Sequence, residues 1–246
     1  MPNDITRLLQ SHRSIRKYTE DSIPDNILKN ILSCAQWAPS SHNVQAYSVI
    51  IVRNTKVKEQ LSEICKSQKW VIECPIFLVF CADYYRLKLT TDMYSTNFEI
   101  DEVENLLVGA VDTALAAENV LIAARSYGLG GVFMGGIRND LDTVIKLLNI
   151  PKYVVPLFGM CLGYPADIPW QKPRLPGGAV IHNETYKIDQ LLFELEGYEQ
   201  ISADYYNRRT NGRKTIGWTK QMAKYVSEPR NQKLKKSIIK QGIQLK

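Results

Sequence analysis

From about Val103 to Tyr127 the chain reads VENLLVGAVDTALAAENVLIAARSY, a helical repeat rich in alanine, leucine and valine with almost no charge between Leu106 and Ala117. A helix apolar nearly all the way round must be buried on most of its faces, so it is either the spine of a core or a subunit interface. The rest of the chain has to supply its cover.

That cover alternates between helix and strand. Residues 3–10 read as a short helix running into HRSIR. Pro24 followed by DNILKNILSCAQW predicts a helix with proline in its first turn, because Ile27, Leu28, Ile31, Leu32 and Ala35 recur at helical spacing. AYSVIIV (46–52) and PIFLVFCA (75–82) have the length and composition of strands, with a helical KVKEQLSEIC between them. GLGGVFMGGI (128–137) reads as a glycine-spaced strand, Leu141 to Leu148 as a helix, and YVVPLFGMCLGYP (153–165) as a further strand. Beyond GYPADIPWQKPRLP the chain is more polar and helical, and no segment repeats. The expected fold is an α+β or α/β arrangement of helices around a central sheet, with a core over residues 1–185 and a C-terminal excursion over 186–246 belonging to the same functional domain.

With 45% hydrophobic and 23% charged residues in 246, a sizeable core is within reach. MPNDITRLLQ has no apolar signal core, and no run approaches the roughly 18 uninterrupted apolar residues of a membrane span, so the expectation is a cytoplasmic protein without a membrane. Cys34, Cys65, Cys74, Cys81 and Cys161 lack C-x-x-C spacing, and Cys81 and Cys161 lie in apolar stretches that suit inert, buried thiols. His12, His42 and His182 have no metal-ligand spacing, and no metal is expected.

The net charge of +6 is unevenly placed: residues 205–246 hold twelve Lys/Arg and one acid, a net +11, which leaves the other 204 residues at −5. A basic tail with Tyr205, Tyr206, Trp218 and Tyr225 among its charges could bind nucleic acid or an anionic surface. Ile238, Ile239, Ile243 and Leu245 fit packing against a partner chain better, so a homodimer is expected and nucleic acid is not.

Three basic clusters stand out: HRSIR, KPR at 172–174 and RRTNGRK at 208–214. Prolines at 173 and 176 stiffen the presentation of Lys172 and Arg174, which suits an anion, although a solvated turn is the default reading of any single K-P-R. GLGGVFMGG fails the dinucleotide fingerprint: the third glycine of the series would fall at Phe133, and a helix rather than a strand precedes it. Gly135 and Gly136 still offer bare backbone that a flat ligand can approach, with tight packing as the alternative. APSSHNVQ (38–45) supplies hydroxyls and amides suited to a heterocycle edge, or simply a polar turn, and Gln68 is an isolated amide of the same kind.

In chain order, HRSIRKYTEDSIP, AQWAPSSHNVQAYSVI, SQKWV, LLVGAVDTALAAENVLIAARSYGLGGVFMGGIRND, PLFGMCLGYPAD, KPRLP and YYNRRTNG resemble the flavin-dependent nitroreductase family, in its NADPH-preferring branch of oxygen-insensitive nitroreductases and NADPH-flavin oxidoreductases. The resemblance implies an α+β fold with a central mixed sheet, a homodimer with FMN at the interface, and a C-terminal arm embracing the partner. It assigns His12, Ser14, Arg16, Lys172 and Arg174 to the FMN phosphate and ribityl end and Arg13 to the pyrimidine edge. Ser40, Ser41, Gln45 and Gln68 would line the ring, some from the partner, with Met134, Gly135 and Gly136 beside its reactive nitrogen. Arg209 and Arg213, or Arg208 in place of Arg209, match a basic loop for the NADPH 2′-phosphate, with NADH as a secondary donor. His42, Asn43 and Glu104 would face the substrate, and Pro39, His42 and Asn43 depart from the serine and aromatic common in relatives. The implied reaction is a two-step exchange: hydride from NADPH to bound FMN, then to nitroaromatics, quinones or free flavin. No catalytic side chain is required. A flavin-binding sensor is the other reading.

Overall fold

The computed structural model describes residues 2–100, 102–229, 231 and 233–244. The chain divides into two compact units, Met1–Pro169 with Asn231–Lys246, and Trp170–Arg230. By compactness the division therefore falls at Pro169 rather than near 185, and the last stretch returns to the first unit.

In the first unit the elements run α1 (Asp4–Gln10), α2 (Asp25–Ser33), β1 (Tyr47–Val52), α3 (Thr55–Ile64), α4 (Trp70–Glu73), β2 (Ile76–Asp83), α5 (Tyr85–Met93), α6 (Val103–Ser126), β3 (Gly130–Met134), α7 (Leu141–Leu147) and β4 (Val154–Gly163). The strands form a sheet in the order β1-β2-β4-β3. Every pairing among the described strands is antiparallel, which corrects the expectation of a mixed sheet.

All eight residues of β2 are buried, as a central strand covered on both faces requires. Successive side chains on a strand point to opposite faces. Ile76, Leu78 and Phe80 accordingly join Leu28 and Ile31 of α2 and Ala116, Val120, Leu121 and Ala124 of α6. Phe77, Val79 and Cys81 join Leu61 of α3, Val71 of α4 and Val144 of α7. Each large apolar side chain so buried is worth about 1.5–3 kcal/mol.

The long helix α6 does two things at once. Its inner face carries Gly109, Asp112, Thr113, Ala116, Ala117, Val120, Leu121 and Ala124 into the protein. Val103, Leu107, Val111 and Leu115 recur every four residues and stay 39–55% exposed, an apolar stripe on another face. By length and composition α6 could cross a membrane, but its buried face forms part of the core over the sheet.

Three local expectations are corrected. Pro24 caps α2 instead of occupying its first turn. The strand expected over 128–137 ends at Met134, and Gly135–Asp140 forms a 3₁₀ turn. Beyond residue 230, α10 (Leu234–Lys240, after α8, Leu191–Arg209, and α9, Trp218–Ser227, of the second unit) folds onto its own core: Ile238 and Ile243 are buried with Ala46, Tyr84, Ile100, Leu141 and Val155, not left for a partner chain. Leu245 lies outside the described residues.

The second unit contains α8 (Leu191–Arg209) and α9 (Trp218–Ser227). Glu199 joins them, accepting hydrogen bonds from Gly217 N (3.0 Å) and Thr219 N (2.7 Å) at the start of α9. Burial alone would raise the Glu199 carboxyl; the Thr219 hydroxyl and these backbone N–H groups outweigh it and hold the group below its ordinary range. Val180, Ile181, Tyr186 and Ile188 before α8, and Leu192 and Phe193 in its first turn, are exposed.

Candidate functional site

β3 is the outer strand of the sheet, and the chain after α1 runs beside it. Ile15 N donates to Gly131 O (3.0 Å), Thr19 N donates to Tyr164 O (2.9 Å), and Tyr18 bridges Pro165. A Cβ at Gly130 would stand 2.3 Å from Ile15 Cγ1, so only glycine permits this approach. The sheet edge thereby fixes the HRSIR backbone and displays its side chains.

Arg13 donates from Nη1 to Ser11 O (3.0 Å), while its Nε is buried with no hydrogen-bond partner among the described residues. Arg125 donates from Nη2 to Ser11 Oγ (2.8 Å). Burial, and then the neighbouring Arg13 guanidinium, press Arg125 below its ordinary pKa against the pull of Glu118. Two guanidiniums crowded at one turn mark a place short of negative charge.

Arg16 is exposed, and its guanidinium lies 5.7 Å over the Trp70 ring. Trp70 Nε1 in turn donates to Met134 Sδ at 3.3 Å. A Cβ on Gly136 would lie 3.0 Å from Cys65 Cα, which brings the Gly135–Gly136 turn against the end of α3. Lys66 and Ser67, with φ of 63° and 55°, then turn the chain into Gln68, whose carbonyl accepts from Ser62 Oγ (3.0 Å). The edge of β3 thus gathers Arg16, the Gln68–Trp70 turn, Met134, Gly135 and Gly136. His12, Arg13 and Ser14 are carried by the same segment. Burial pushes the Cys65 and Cys81 thiols up to about 12 and raises Cys161, so these three thiols remain protonated and poor nucleophiles.

The loop holding Ser40, Ser41, His42, Asn43 and Gln45 enters β1, at the opposite edge. Three inter-strand spacings, about 14 Å, separate the two edges. His42, Asn43 and Gln45 all have left-handed backbones, with φ of 49°, 57° and 53°. Such strain persists only where the surroundings impose it. Here Asp112 Oδ1 accepts from Ser41 N and Oδ2 from Ala46 N, both at 3.1 Å, and Ser40 Oγ accepts from Gln45 N at 3.1 Å. Arg86 binds the Gln45 and Tyr47 carbonyls at 2.8 and 2.6 Å. Glu104 is exposed in the first turn of α6.

In the second unit, Lys172, Arg174 and Arg208 line a cavity of about 580 Å³ with Trp170, Asp204 and Tyr205. Arg174 Nη1 donates to Lys172 O (2.9 Å), so the K-P-R turn is internally braced. Arg209 lies 5.9 Å over the Tyr205 ring and donates to its hydroxyl (3.3 Å). Arg213 Nε donates to Thr210 O (3.1 Å) beside the left-handed pair Asn211 and Gly212, with φ of 50° and 80°. KPR and Arg208 thus share one cavity, an association the sequence spacing conceals. Sequence reasoning also passed over Trp70, Arg86, Asp112 and Arg125; a carboxylate inside an otherwise apolar helix was the signal available for Asp112.

A helix-covered antiparallel sheet with a cationic segment along its outer strand, followed by a basic helical unit, is an α+β architecture with solved counterparts. NfrA2 of B. megaterium has a TM-score of 0.97 and 36% identity, covering 100% of both chains. The NADPH:FMN oxidoreductase of Vibrio harveyi, solved with NAD+, has a TM-score of 0.91 and 32% identity over 99% of this chain and 100% of the other. Residues 9–164 match the nitroreductase family model and residues 172–246 its C-terminal domain model. The chain belongs to the nitroreductase family. It is 39% identical over 246 residues to an FMN reductase [NAD(P)H] of Bacillus subtilis (strain 168), covering 99% of each, and 37% identical to a Cr(VI) reductase of Pseudomonas sp. (strain G-1), covering 98% of this chain and 100% of the relative.

Proposed function

We propose that the protein is an FMN-dependent NADPH oxidoreductase acting on small electron acceptors: nitroaromatics, quinones or free flavin. The observation that carries this reading is the β3 edge: the segment holding Arg13, whose buried Nε has no hydrogen-bond partner among the described residues, is hydrogen-bonded through Ile15 to the strand that leads into the Gly135–Gly136 turn. A planar group with an anionic tail fits those residues. FMN, when bound, supplies the hydride-accepting and hydride-donating chemistry that links NADPH to the acceptor, so no side chain has to serve as acid or nucleophile. Arg13 holds negative charge at the pyrimidine side, and His12, Ser14 and Arg16 hold the phosphate and ribityl end; Lys172 and Arg174, which line the second unit's own cavity, are the further cations that the family resemblance assigns to that phosphate. Gln68 and Met134 bound the ring, and the two glycines add no side chain of their own over their peptide N–H groups.

The active form in this reading is a homodimer. The Ser40–Gln45 loop and the β3 edge lie on opposite sides of one sheet, so a partner's loop is the economical source of Ser40, Ser41 and Gln45 at each site. The exposed stripe Val103, Leu107, Val111 and Leu115 and the exposed apolar residues from Val180 to Phe193 offer surface for that partner. The cytoplasm, where nicotinamides are plentiful, is the compartment this reading implies. The basic loop serves NADPH rather than nucleic acid.

The test is direct. Protein mixed with FMN should take up one flavin per chain, bleach anaerobically with NADPH, and recover its colour with a quinone; protein that gains no flavin absorbance would refute the reading. A second result concerns the donor. Arg209→Ala with Arg213→Ala should weaken NADPH about 10–100-fold, the value of losing charge-assisted bonds to a phosphate, and NADH far less. Equal losses for both donors would remove these residues from 2′-phosphate recognition. Arg208→Ala measured alongside assigns the clamp between Arg208, in the cavity with Lys172, and Arg209, committed to Tyr205.

A further inference from the structure

We infer that Asp112 is a positioning residue for the acceptor side of the site: from inside α6 it clamps both ends of the Ser40–Ala46 loop and so fixes where His42 and Asn43 stand. This rests on the functional reading above. The carboxylate is 1% exposed, and among the described residues no ion pair is formed to it. Its charge is spent on two backbone donors, Ser41 N through Oδ1 and Ala46 N through Oδ2, each at 3.1 Å. Burying an ion in an apolar helix for a fold-wide purpose would be wasteful, since a neutral residue would pack there more cheaply.

The loop it holds explains the ion. His42, Asn43 and Gln45 are all left-handed, a conformation that side chains other than glycine rarely adopt, and one that relaxes when its restraints are removed. Asp112 is the restraint that grips the loop at both ends, Arg86 takes the Gln45 carbonyl, and Ser40 Oγ takes the Gln45 N–H. The strained residues are themselves exposed, so the strain serves no packing purpose. It sets the outward direction of His42 and Asn43, two of the positions that the family resemblance places on the substrate-facing wall.

The experiment uses the FMN-loaded enzyme and Asp112→Asn, which keeps the shape but offers one acceptor where two are needed. Hydrogen exchange of peptides covering 40–46 should speed up about tenfold, as expected for one lost charge-assisted bond. Assayed with saturating FMN, KM for a quinone and for a nitroaromatic should rise about tenfold while kcat stays within about twofold, because the chemistry is the cofactor's. Adding Asn43→Gly to Asp112→Asn should recover part of the lost exchange protection, since glycine takes the left-handed backbone without strain; this double variant also serves where Asp112→Asn folds too poorly to assay. Faster exchange with unchanged KM, a fall in kcat at unchanged KM, or exchange that does not change at all would each overturn the role of Asp112. Wild-type protein that takes up no FMN would overturn the functional reading itself, a result obtained before any variant is made.

Discussion

Arg13→Met is expected to weaken FMN about a hundredfold while leaving the FMN-free protein at least as stable as before. The two signs differ because the guanidinium is a liability until an anion arrives. Its Nε is buried with no hydrogen-bond partner among the described residues, and its charge adds to the burial that presses the neighbouring Arg125 below its ordinary pKa. A buried donor left unsatisfied costs about 1–3 kcal/mol, and methionine fills much of the same space with no polar group to bury. When FMN is present the balance reverses: two charge-assisted hydrogen bonds, each about 1.5–3 kcal/mol, disappear with the arginine. Fluorescence titration with FMN and thermal unfolding of the FMN-free protein measure the two halves separately. An FMN-free protein that loses stability while its flavin affinity is unchanged would show that Arg13 is a structural residue and not a ligand for the ring.

Gly130→Ala is expected to cost about 1–3 kcal/mol of stability and at least tenfold in FMN affinity together. The new methyl would stand 2.3 Å from Ile15 Cγ1, 2.9 Å from Ile15 Cβ and 3.2 Å from Pro165 Cγ. Ile15 is itself buried and tied to Gly131 by its backbone, so it cannot simply rotate aside. The HRSIR segment has to move off the strand, and Arg13, Ser14 and Arg16 move with it. Gly197→Ala is the control: it lies in α8 with nothing within 4 Å of the added methyl, and there alanine should stabilise by up to about 1 kcal/mol through helix propensity. Denaturant unfolding of both variants beside the parent provides the comparison. Retained flavin affinity in Gly130→Ala would mean that the basic segment does not need the strand to hold its shape.

What the sequence disclosed, and what it hid, follows from how far each signal reaches along the chain. Elements whose own periodicity points at the core were readable: α6, α2, β1, β2 and β4 were all expected within a few residues of where they lie. α5 escaped because none of its residues is buried, so it has no apolar stripe to betray it. The antiparallel order of the sheet is a matter of pairing between distant segments, and nothing local to a strand records it. The end of β3 was misjudged because glycine serves a strand, a turn and a close approach alike. Basic residues such as those of HRSIR and KPR stood out as clusters by their charge alone. Asp112 and Arg86 act on backbone atoms of another segment, and backbone atoms leave no letter in the sequence to be matched. The choice between Arg208 and Arg209 turns on which way α8 faces, and that is a tertiary fact.

Residues after Asn231 behave as a stopper pushed back into the body that the chain left at Pro169. Ile238 and Ile243 share a hydrophobic cluster with Ala46, whose N–H is one of the two held by Asp112. Trimming the C-terminus would therefore unseat more than a tail: it would open the wall behind the loop that carries His42 and Asn43.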